Sequence, residues 1–304
     1  MDKETAGTIF ILIGLCVYGI HPVVVEFGGL WVAPLFFAAI AALIAGLIAV
    51  IFEKQFTSSA RKEISHSDLR RLVMAGVFGT FLAFTCLFIG LQFSSSNNAA
   101  IILRSELVFA LIFSYFFLNE VISKRQMLWM VLMVFGVVLV VISNQLTTLG
   151  IGDILLLITP MAWAAGHTFA KPVLERVSSW TVVAYRNLVG GVLLLILAIG
   201  GIILGYPLLY STNLSLLIVV ILIEALVIFL AHSLWYQGIS RINLGKATAL
   251  IAPAPLVTFT LYAVVFQSPP TPWQLIGAII VIAATILLAR EVSLHRELNA
   301  LEAL

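Results

Sequence analysis

Four charged side chains stand inside long apolar stretches of the sequence, where an unpaired charge is costly. They are Arg104, Glu106, Arg186 and Glu224. A charged residue at the centre of a bilayer costs about 2.5 to 3.5 kcal/mol on insertion scales, so each needs a partner or a water-filled cavity. A carboxylate in such a cavity can bind an ammonium group or a proton, and an arginine can bind a carboxylate. These residues are therefore the first candidates for a site.

The spacing of Arg104 and Glu106 argues against a direct pair. Two positions along a helix are about 200° apart, so the two side chains point to different faces. We therefore expect Glu106 or Glu224 to line a central cavity and to bind a substrate ammonium group or a coupling proton. Arg104 would then be held by the other acid or by a substrate carboxylate. The alternative is a buried ion pair between helices that has only a structural role.

Arg186 is a weaker candidate because of its depth. It lies six residues after Trp180, which corresponds to about 9 Å of helix at 1.5 Å per residue. A long arginine side chain can cover that distance and place its charge in interfacial water. We expect Arg186 to reach the cytoplasm in this way and to have a structural role.

Aromatic and histidine side chains could add a binding surface. Trp163 lies deep in an apolar stretch, and His167 follows four residues later on the same helix face. Tyr18 and Tyr236 lie in two other apolar stretches. An aromatic face can bind an aromatic or cationic substrate, and a histidine can exchange a proton. Core packing for Trp163 and a hydrogen bond to a neighbouring helix for His167 are the open alternatives.

Two closely spaced prolines predict a break in the ninth apolar stretch. Pro253 and Pro255 each remove a backbone donor and clash with the preceding turn, so the helix should kink there. Carbonyl groups freed within a membrane face a cavity or another helix rather than lipid. The kink therefore either contributes to a binding site or serves packing alone. At the start of the fourth stretch, Asn97 and Asn98 are expected to act as a helix cap.

The composition shows that lipid must surround most of this chain. Of 304 residues, 62% are hydrophobic and 10% are charged, and the mean hydropathy is +1.15, whereas a soluble domain has about 25% charged residues. The net charge of +2 comes without a basic stripe, which excludes a nucleic-acid partner. The sequence contains no HExxH, GxSxG, P-loop or GxGxxG motif, so we expect neither an enzyme nor a cofactor.

Ten stretches are long and apolar enough to span a bilayer, which takes about 20 residues. They are 6–27, 30–52, 71–92, 97–118, 126–143, 153–171, 180–204, 214–236, 246–266 and 273–290. The N-terminal segment and the loops after even-numbered stretches, with Arg61 and Lys62 among them, hold 14 of the 16 lysines and arginines. Because short basic loops stay in the cytoplasm, both termini of this multi-pass cell-membrane protein are predicted to be cytoplasmic.

The chain repeats itself at an offset of 145 to 149 residues. The matched pairs include Gly7 with Gly152, Tyr18 with Trp163, Gly90 with Gly238, Ser123 with Thr271 and Gln126 with Gln274. Two copies of five spans follow, over residues 1–147 and 148–304. Because five is odd, the second copy starts on the opposite side of the membrane, which gives an inverted repeat. That architecture is typical of alternating access, although duplication alone can also leave a repeat.

With these features, the chain resembles the paired EamA domains of the drug/metabolite transporter superfamily over nearly its whole length. The matching residues are Tyr18, Trp163, Arg186, the segment FFLNE at 116–120, Ser123, Gln126, Pro255, Thr271, Gln274 and Gly277. The resemblance implies an all-α integral membrane protein of ten transmembrane helices in two inverted five-helix repeats. Phe37, Leu107 and Ser268 depart from the family pattern, so we expect the two halves to form an asymmetric site.

The resemblance further implies a secondary transporter that exports or exchanges small metabolites around a mid-membrane cavity. Amino acids, including aromatic ones, are the leading expectation, and the alternatives are a cationic or quaternary amine and a membrane sensor that binds without transport. The expected partners are the substrate, a coupling proton and membrane lipid, and the chain is expected to be a monomer or weak dimer. The proposed site comprises Tyr18, Arg104, Glu106, Trp163, His167, Glu224, Tyr236, Pro253 and Pro255.

Overall fold

The computed structural model describes most of the chain: residues 2–56, 64–118, 122–143, 150–210, 212–242 and 244–302. Regular secondary structure in these ranges is helical, with one isolated β-bridge between Val32 and Leu209. The prediction of an all-α protein is therefore confirmed. Five features of the sequence analysis lie outside the described residues: Arg61, Lys62, Asn119, Glu120 and the predicted repeat boundary at 147/148.

The first half of the chain forms five helices, two of which are interrupted. They are α1 (Lys3–Gly29), α2 (Pro34–Phe56), α3 (His66–Gly90), α4 (Ser96–Ile102, Leu103–Ser105 and Glu106–Leu118) and α5 (Lys124–Ser143). The interruption in α3 is a π-helical turn over Val77–Leu82, and that in α4 is the 3-10 turn over Leu103–Ser105.

The second half of the chain follows the same plan. Its helices are α6 (Ile151–Ala170), α7 (Ser179–Ile203), α8 (Leu214–Ile239), α9 (Leu244–Ile251 and Ala254–Val265) and α10 (Pro272–Glu302). Eight stretches within the described residues are long and apolar enough to cross a membrane, and they belong to every helix except α5 and α6. Those two helices have 20 residues each. The multi-pass membrane class is thus confirmed, and the number of ten crossings stays a prediction.

Local capping explains why α3 begins before the predicted span. The hydroxyl of Ser65 accepts a hydrogen bond from the backbone N–H of Asp68 at 3.1 Å, the usual geometry of an N-cap. The helix therefore begins at His66, and Arg70 and Arg71 lie in its first two turns. At the other end of the chain, α10 continues past the predicted boundary as far as Glu302.

Matching caps at two helix starts support the internal repeat. At the start of α5, Ser123 and Gln126 exchange hydrogen bonds between side chain and backbone, at 2.9 and 3.1 Å. Thr271 and Gln274 make the same exchange at the start of α10, at 2.9 and 3.2 Å. Each pair is a capping box, which satisfies two backbone N–H groups that the first helical turn leaves unpaired. The two boxes lie at equivalent positions of the repeat.

Helix packing also follows a two-fold pattern. α2 packs against α7 and α5 against α10, while α1 packs against α8 as α6 packs against α3. At both of the last two interfaces, glycines of the matched pairs meet. A Cβ on Gly7 would lie 3.3 Å from the carbonyl of Gly238, and one on Gly152 would lie 2.7 Å from that of Gly90. This exchange of partners is what a two-fold relation between two five-helix halves produces.

Candidate functional site

Breaks in α4 and α9 occur at equivalent positions of the two halves. In α9 the helix stops at Ile251 and resumes at Ala254, so the predicted kink is confirmed. The cause is chemical: Pro255 has no N–H to donate to the carbonyl of Ile251, four residues earlier. The Nη1 of Arg104 approaches that carbonyl instead, at 3.4 Å. The break thus creates an acceptor that a side chain from the other half uses.

The break in α4 was not predicted, because that helix contains no proline at the equivalent position. There the 3-10 turn over Leu103–Ser105 separates the two helical parts. The hydroxyl of Ser105 donates to the carbonyl of Ile102 at 2.7 Å, a bond from side chain to backbone that competes with the helical ladder and favours a bend. The repeat itself was the available signal, since Ser105 aligns with Pro253 at an offset of 148.

A cavity of about 240 Å³ lies beside the breaks of α4 and α9. Helices α1, α4, α6, α8, α9 and α10 form its wall, and the lining includes Tyr18, Arg104, Glu106, His167, Trp235 and Ile251. Lys171 and Ile239, at the ends of α6 and α8, also line it. The cavity therefore extends from the helix breaks toward the side of the bundle that carries the basic loops. We call it the central cavity.

The central cavity contains side chains of both charges. Arg104 and Glu106 both line it, and no salt bridge joins them within the described part of the chain. Oε1 of Glu106 lies 3.2 Å from Nε2 of His167, and the Glu106 side chain is 27% exposed. The Nε of Arg104 is buried without a hydrogen-bond partner in the described structure. The cavity can therefore contact an anionic group and a cationic group of one ligand at the same time.

Glu224 lies away from the central cavity. Its side chain is fully buried on α8, and Oε1 lies 2.9 Å from Nδ1 of His21 on α1. This arrangement corresponds to the alternative interpretation, a buried pair between helices. Arg104 is held by neither Glu224 nor Glu106. Its Nη1 instead contacts the carbonyl of Ile251. The structure thus separates the two candidate acids, and only Glu106 lines the cavity.

The aromatic wall of the cavity consists of a pair that the sequence analysis identified only in part. Tyr18 and Trp235 line the cavity and meet edge to face, with ring centroids 6.2 Å apart at an angle of 71°. Trp163, which the sequence analysis preferred, is 4% exposed and belongs to the core. Its neighbour Ala164 lines the cavity instead. Periodicity alone does not distinguish Trp235 from the other deep aromatics, because every face of α8 is apolar.

Arg186 is buried, so the expectation that it reaches the cytoplasm is wrong. Its exposure is 1%. Its Nη2 donates to the carbonyl of Gly79 at 2.7 Å, its Nη1 to the hydroxyl of Tyr236 at 2.9 Å, and its Nε to the hydroxyl of Thr80 at 3.3 Å. Gly79 and Thr80 belong to the π-helical turn of α3. These three acceptors hold the charge inside the bundle.

Tyr236 lies behind the central cavity and contacts it through another residue. It is fully buried, and its hydroxyl lies 3.2 Å from Nδ1 of His167, which lines the cavity. Pro253 and Pro255 are likewise outside the lining, whereas Ile251, whose carbonyl Pro255 leaves without an amide donor, is part of it. These three predicted residues therefore meet the cavity through their neighbours.

The cap of α4 also differs from the expectation. Asn97 and Asn98 lie within the helix and are buried. The cap is Ser95, whose hydroxyl accepts from the backbone N–H of Asn98 at 3.3 Å. The sequence does not distinguish Ser95 from the two asparagines, because Asn and Ser have a similar preference for the N-cap position.

Buried hydrogen bonds join the helices at the end of the bundle opposite Lys171. The amide of Asn98 donates to Asp153 on α6 at 3.3 Å and accepts from Gln274 on α10 at 2.9 Å. Nearby, the carboxylate of Glu26 on α1 accepts from the backbone and the hydroxyl of Ser96 on α4. These contacts link helices of both halves at the end where the cavity does not open.

Comparison with known proteins agrees with this architecture. A relative from Bacillus subtilis named "Uncharacterized transporter YyaM" is 23% identical over 239 residues, which is 75% of each chain. A relative from Salmonella typhimurium named "Probable amino-acid metabolite efflux pump" is 24% identical over 281 residues, 90% of this chain and 91% of the relative. A crystal structure with 16% identity matches with a TM-score of 0.68 over 95% of this chain and 99% of its own, which shows a shared fold.

A family model provides the broader assignment. The model described as "EamA-like transporter family" matches the chain twice, over residues 5–142 and 150–290. The two matches coincide with the two halves of the bundle and together cover most of the sequence. This protein therefore belongs to the EamA-like transporter family.

Proposed function

We propose that this protein is a secondary transporter for small zwitterionic metabolites, with amino acids, including aromatic ones, as the leading substrates. The observation that carries the proposal is that Arg104 and Glu106 line the same cavity as the aromatic pair Tyr18 and Trp235. An arginine can bind a substrate carboxylate and a glutamate can bind its ammonium group. The aromatic edges and faces suit an apolar or aromatic side chain.

The size of the cavity supports a small substrate. Its volume of about 240 Å³ is below the roughly 300 to 1,000 Å³ of pockets that hold drug-sized ligands. The printed name of the Salmonella typhimurium relative, a probable amino-acid metabolite efflux pump, agrees with this substrate class. The identity of 24% is too low to carry a substrate from one protein to the other, so the charges in the cavity remain the main support.

In this proposal the protein exports or exchanges its substrate by alternating access in the cell membrane. Both termini face the cytoplasm, so the central cavity opens inward in the described conformation. The two repeats, residues 1–147 and 148–304, exchange their roles when the outer end opens. A monomer or a weak dimer within membrane lipid is the assembly that this proposal expects.

The nine predicted site residues take different roles in this proposal. Four of them contact the substrate or the coupling proton: Tyr18, Arg104, Glu106 and His167. Tyr236 acts through His167, and Pro253 and Pro255 act through the break that frees the Ile251 carbonyl. Trp163 and Glu224 have packing roles only.

Flux measurements in proteoliposomes of the purified protein test the proposal. Labelled phenylalanine is supplied with and without a pH gradient, to the wild type and to Glu106→Gln. We expect saturable flux that responds to the gradient and falls at least tenfold in the variant. The matched control is Glu224→Gln, the same substitution outside the cavity, which should keep the flux. Equal flux in Glu106→Gln and the wild type would remove Glu106 from the mechanism.

A cationic substrate is the second candidate, because Glu106 beside two aromatic rings also suits a quaternary ammonium group. Arg104 in the same lining opposes it by charge repulsion. Benzyltrimethylammonium in the same vesicles separates the two candidates: its transport without that of phenylalanine would favour the cationic substrate. Binding of either compound without flux across sealed vesicles would favour a membrane sensor.

A further inference from the structure

A chain of hydrogen-bonding groups leads from the central cavity to the buried Arg186. Glu106 Oε1 lies 3.2 Å from His167 Nε2, and His167 Nδ1 lies 3.2 Å from the hydroxyl of Tyr236. That hydroxyl accepts from Arg186 Nη1 at 2.9 Å. Four helices contribute one residue each, namely α4, α6, α8 and α7. Of these side chains, Glu106 and His167 line the cavity, whereas Tyr236 and Arg186 are buried behind them.

The direction of each hydrogen bond in this chain follows from the chemistry of its members. Arginine has donors only, so the Tyr236 hydroxyl must accept from Arg186. A phenol carries one hydrogen, and the remaining neighbour that can accept it is Nδ1 of His167. Nδ1 is then an acceptor, so the ring hydrogen of His167 is on Nε2 and points to Glu106. The carboxylate of Glu106 accepts this hydrogen, and every member of the chain is satisfied while His167 is neutral.

We propose that Arg186 and Tyr236 are positioning residues that keep His167 a neutral donor to Glu106, so that the exchangeable proton of the cavity binds Glu106 and not His167. A proton on Nδ1 would force the Tyr236 hydroxyl to turn its hydrogen away while it still accepts from Arg186. Glu106 has no such conflict, because its second oxygen can take a proton while Oε1 continues to accept from His167. Arg186 thus acts on the cavity through two other side chains.

Charges of both signs surround His167. The titratable and charged groups that face this cluster from the surrounding helices are Tyr18, Arg104, Glu106, Lys171, Arg186, His232 and Tyr236. Three of them are permanent or ordinary cations, and Glu106 is the one carboxylate among the described residues of the cavity lining. Arg186 repels a positive charge on His167, while Glu106, in direct contact, attracts one. The assignment of the hydrogens therefore rests on the geometry of the hydrogen bonds.

A second branch of the network gives an internal contrast. Arg186 Nε donates to the hydroxyl of Thr80, which donates to Oδ1 of Asn187 at 3.4 Å. The same oxygen lies 3.1 Å from Nδ1 of His232, and an amide oxygen only accepts. His232 must therefore carry its hydrogen on Nδ1. The two histidines beside Arg186 should have opposite tautomers.

This inference rests on the proposed function only where it concerns transport: Glu106 would then hold either the proton or the substrate ammonium group, and never both. The tautomer of His167 is a separate property that can be measured without any flux. Loss of flux with the expected tautomer would overturn the proposed function alone. An unexpected tautomer in a protein that transports would overturn the positioning role alone.

Nitrogen NMR of the full-length protein in lipid bilayers tests the inference. The protein is labelled with nitrogen-15 in its five histidines, and the His167 signals are identified by their loss in His167→Gln. Spectra are recorded from about pH 5.5 to about pH 8. Over this range we expect His167 to show one protonated nitrogen, Nε2, and one unprotonated nitrogen, Nδ1. A doubly protonated ring near pH 7, or a hydrogen on Nδ1, would overturn the proposal.

Two variants then test the roles of Arg186 and Tyr236. Arg186→Met leaves the Tyr236 hydroxyl able to accept from Nδ1, so the midpoint of His167 protonation should rise by about one pH unit or more, a tenfold gain in proton affinity. Arg186→Lys, which keeps the charge, should restore a neutral ring. A folded Arg186→Met protein with unchanged His167 signals would contradict the role of Arg186. Tyr236→Phe removes the hydroxyl that donates to Nδ1, so it should shift the Nδ1 signal and leave Nε2 protonated; an unchanged Nδ1 signal would contradict the role of Tyr236.

Discussion

Replacement of Arg104 by glutamine should weaken the binding of an amino acid far more than that of its methyl ester. In the structure, Nη1 of Arg104 makes a long contact with the Ile251 carbonyl and Nε has no partner in the described residues. The guanidinium can therefore give its donors to a substrate carboxylate. A hydrogen bond to a charged group contributes about 1.5 to 3 kcal/mol. Since about 1.4 kcal/mol corresponds to a tenfold change, the expected loss of affinity is about 10- to 140-fold.

The comparison between acid and ester isolates this contact. Phenylalanine and phenylalanine methyl ester share the ring and the ammonium group, and only the first has a carboxylate. Titration calorimetry on detergent-solubilised wild type and Arg104→Gln gives four dissociation constants. Any damage that the substitution does to the α4 break should weaken the binding of both ligands by the same factor. The factor lost by the acid, divided by the factor lost by the ester, therefore reports the carboxylate contact alone.

A uniform loss for both ligands would refute this reasoning, because Arg104 would then support the helix break without contacting substrate. Unchanged affinity for both would place the substrate elsewhere. Glu224→Gln is the control, since that side chain is buried against His21 outside the cavity. It should change neither dissociation constant.

The remaining predictions concern the helix breaks and the second conformation. Pro255→Ala restores a backbone N–H that can donate to the carbonyl four residues earlier, so transport should slow at least tenfold while the thermal midpoint rises; an unchanged rate would show that the break is not needed. In a background without native cysteines, a short bifunctional thiol reagent should cross-link Asn98→Cys with Gln274→Cys in the described conformation, because the longer native side chains meet with their polar atoms 2.9 Å apart. The same reagent should cross-link the repeat-equivalent pair, Gln126→Cys with Lys246→Cys, only when the outer end opens, and cross-linking of both pairs with equal yield under one condition would contradict alternating access.

The sequence predicts the fold well because each membrane helix requires a run of about 20 apolar residues, which is visible in the sequence. Apolar stretches predicted the helical bundle, matched residues such as the glycines predicted its two halves, and the proline pair predicted the break in α9. The break in α4 escaped prediction because it depends on Ser105, whose hydroxyl can bond outward or to its own helix. Only a comparison with Pro253 in the other half would have indicated it.

The faces of the helices were harder to predict than their existence. In a membrane bundle, lipid-facing and core-facing residues are equally apolar, so periodicity does not tell which aromatic lines a cavity. For that reason Trp163 was preferred although Trp235 lines the cavity. The burial of Arg186 was not predicted for a related reason. Its distance from the helix end can be counted along the sequence, but its acceptors on the π-helical turn of α3 depend on how another helix packs.

The most direct test of the central claim is the position of a bound substrate. Para-bromophenylalanine diffused into crystals of the protein gives an anomalous signal from its bromine and electron density for the rest of the molecule. We expect the bromine beside Tyr18 and Trp235, with the carboxylate at Arg104 and the ammonium group at Glu106. Bromine at the His21–Glu224 pair, or at any place outside the central cavity, would contradict it.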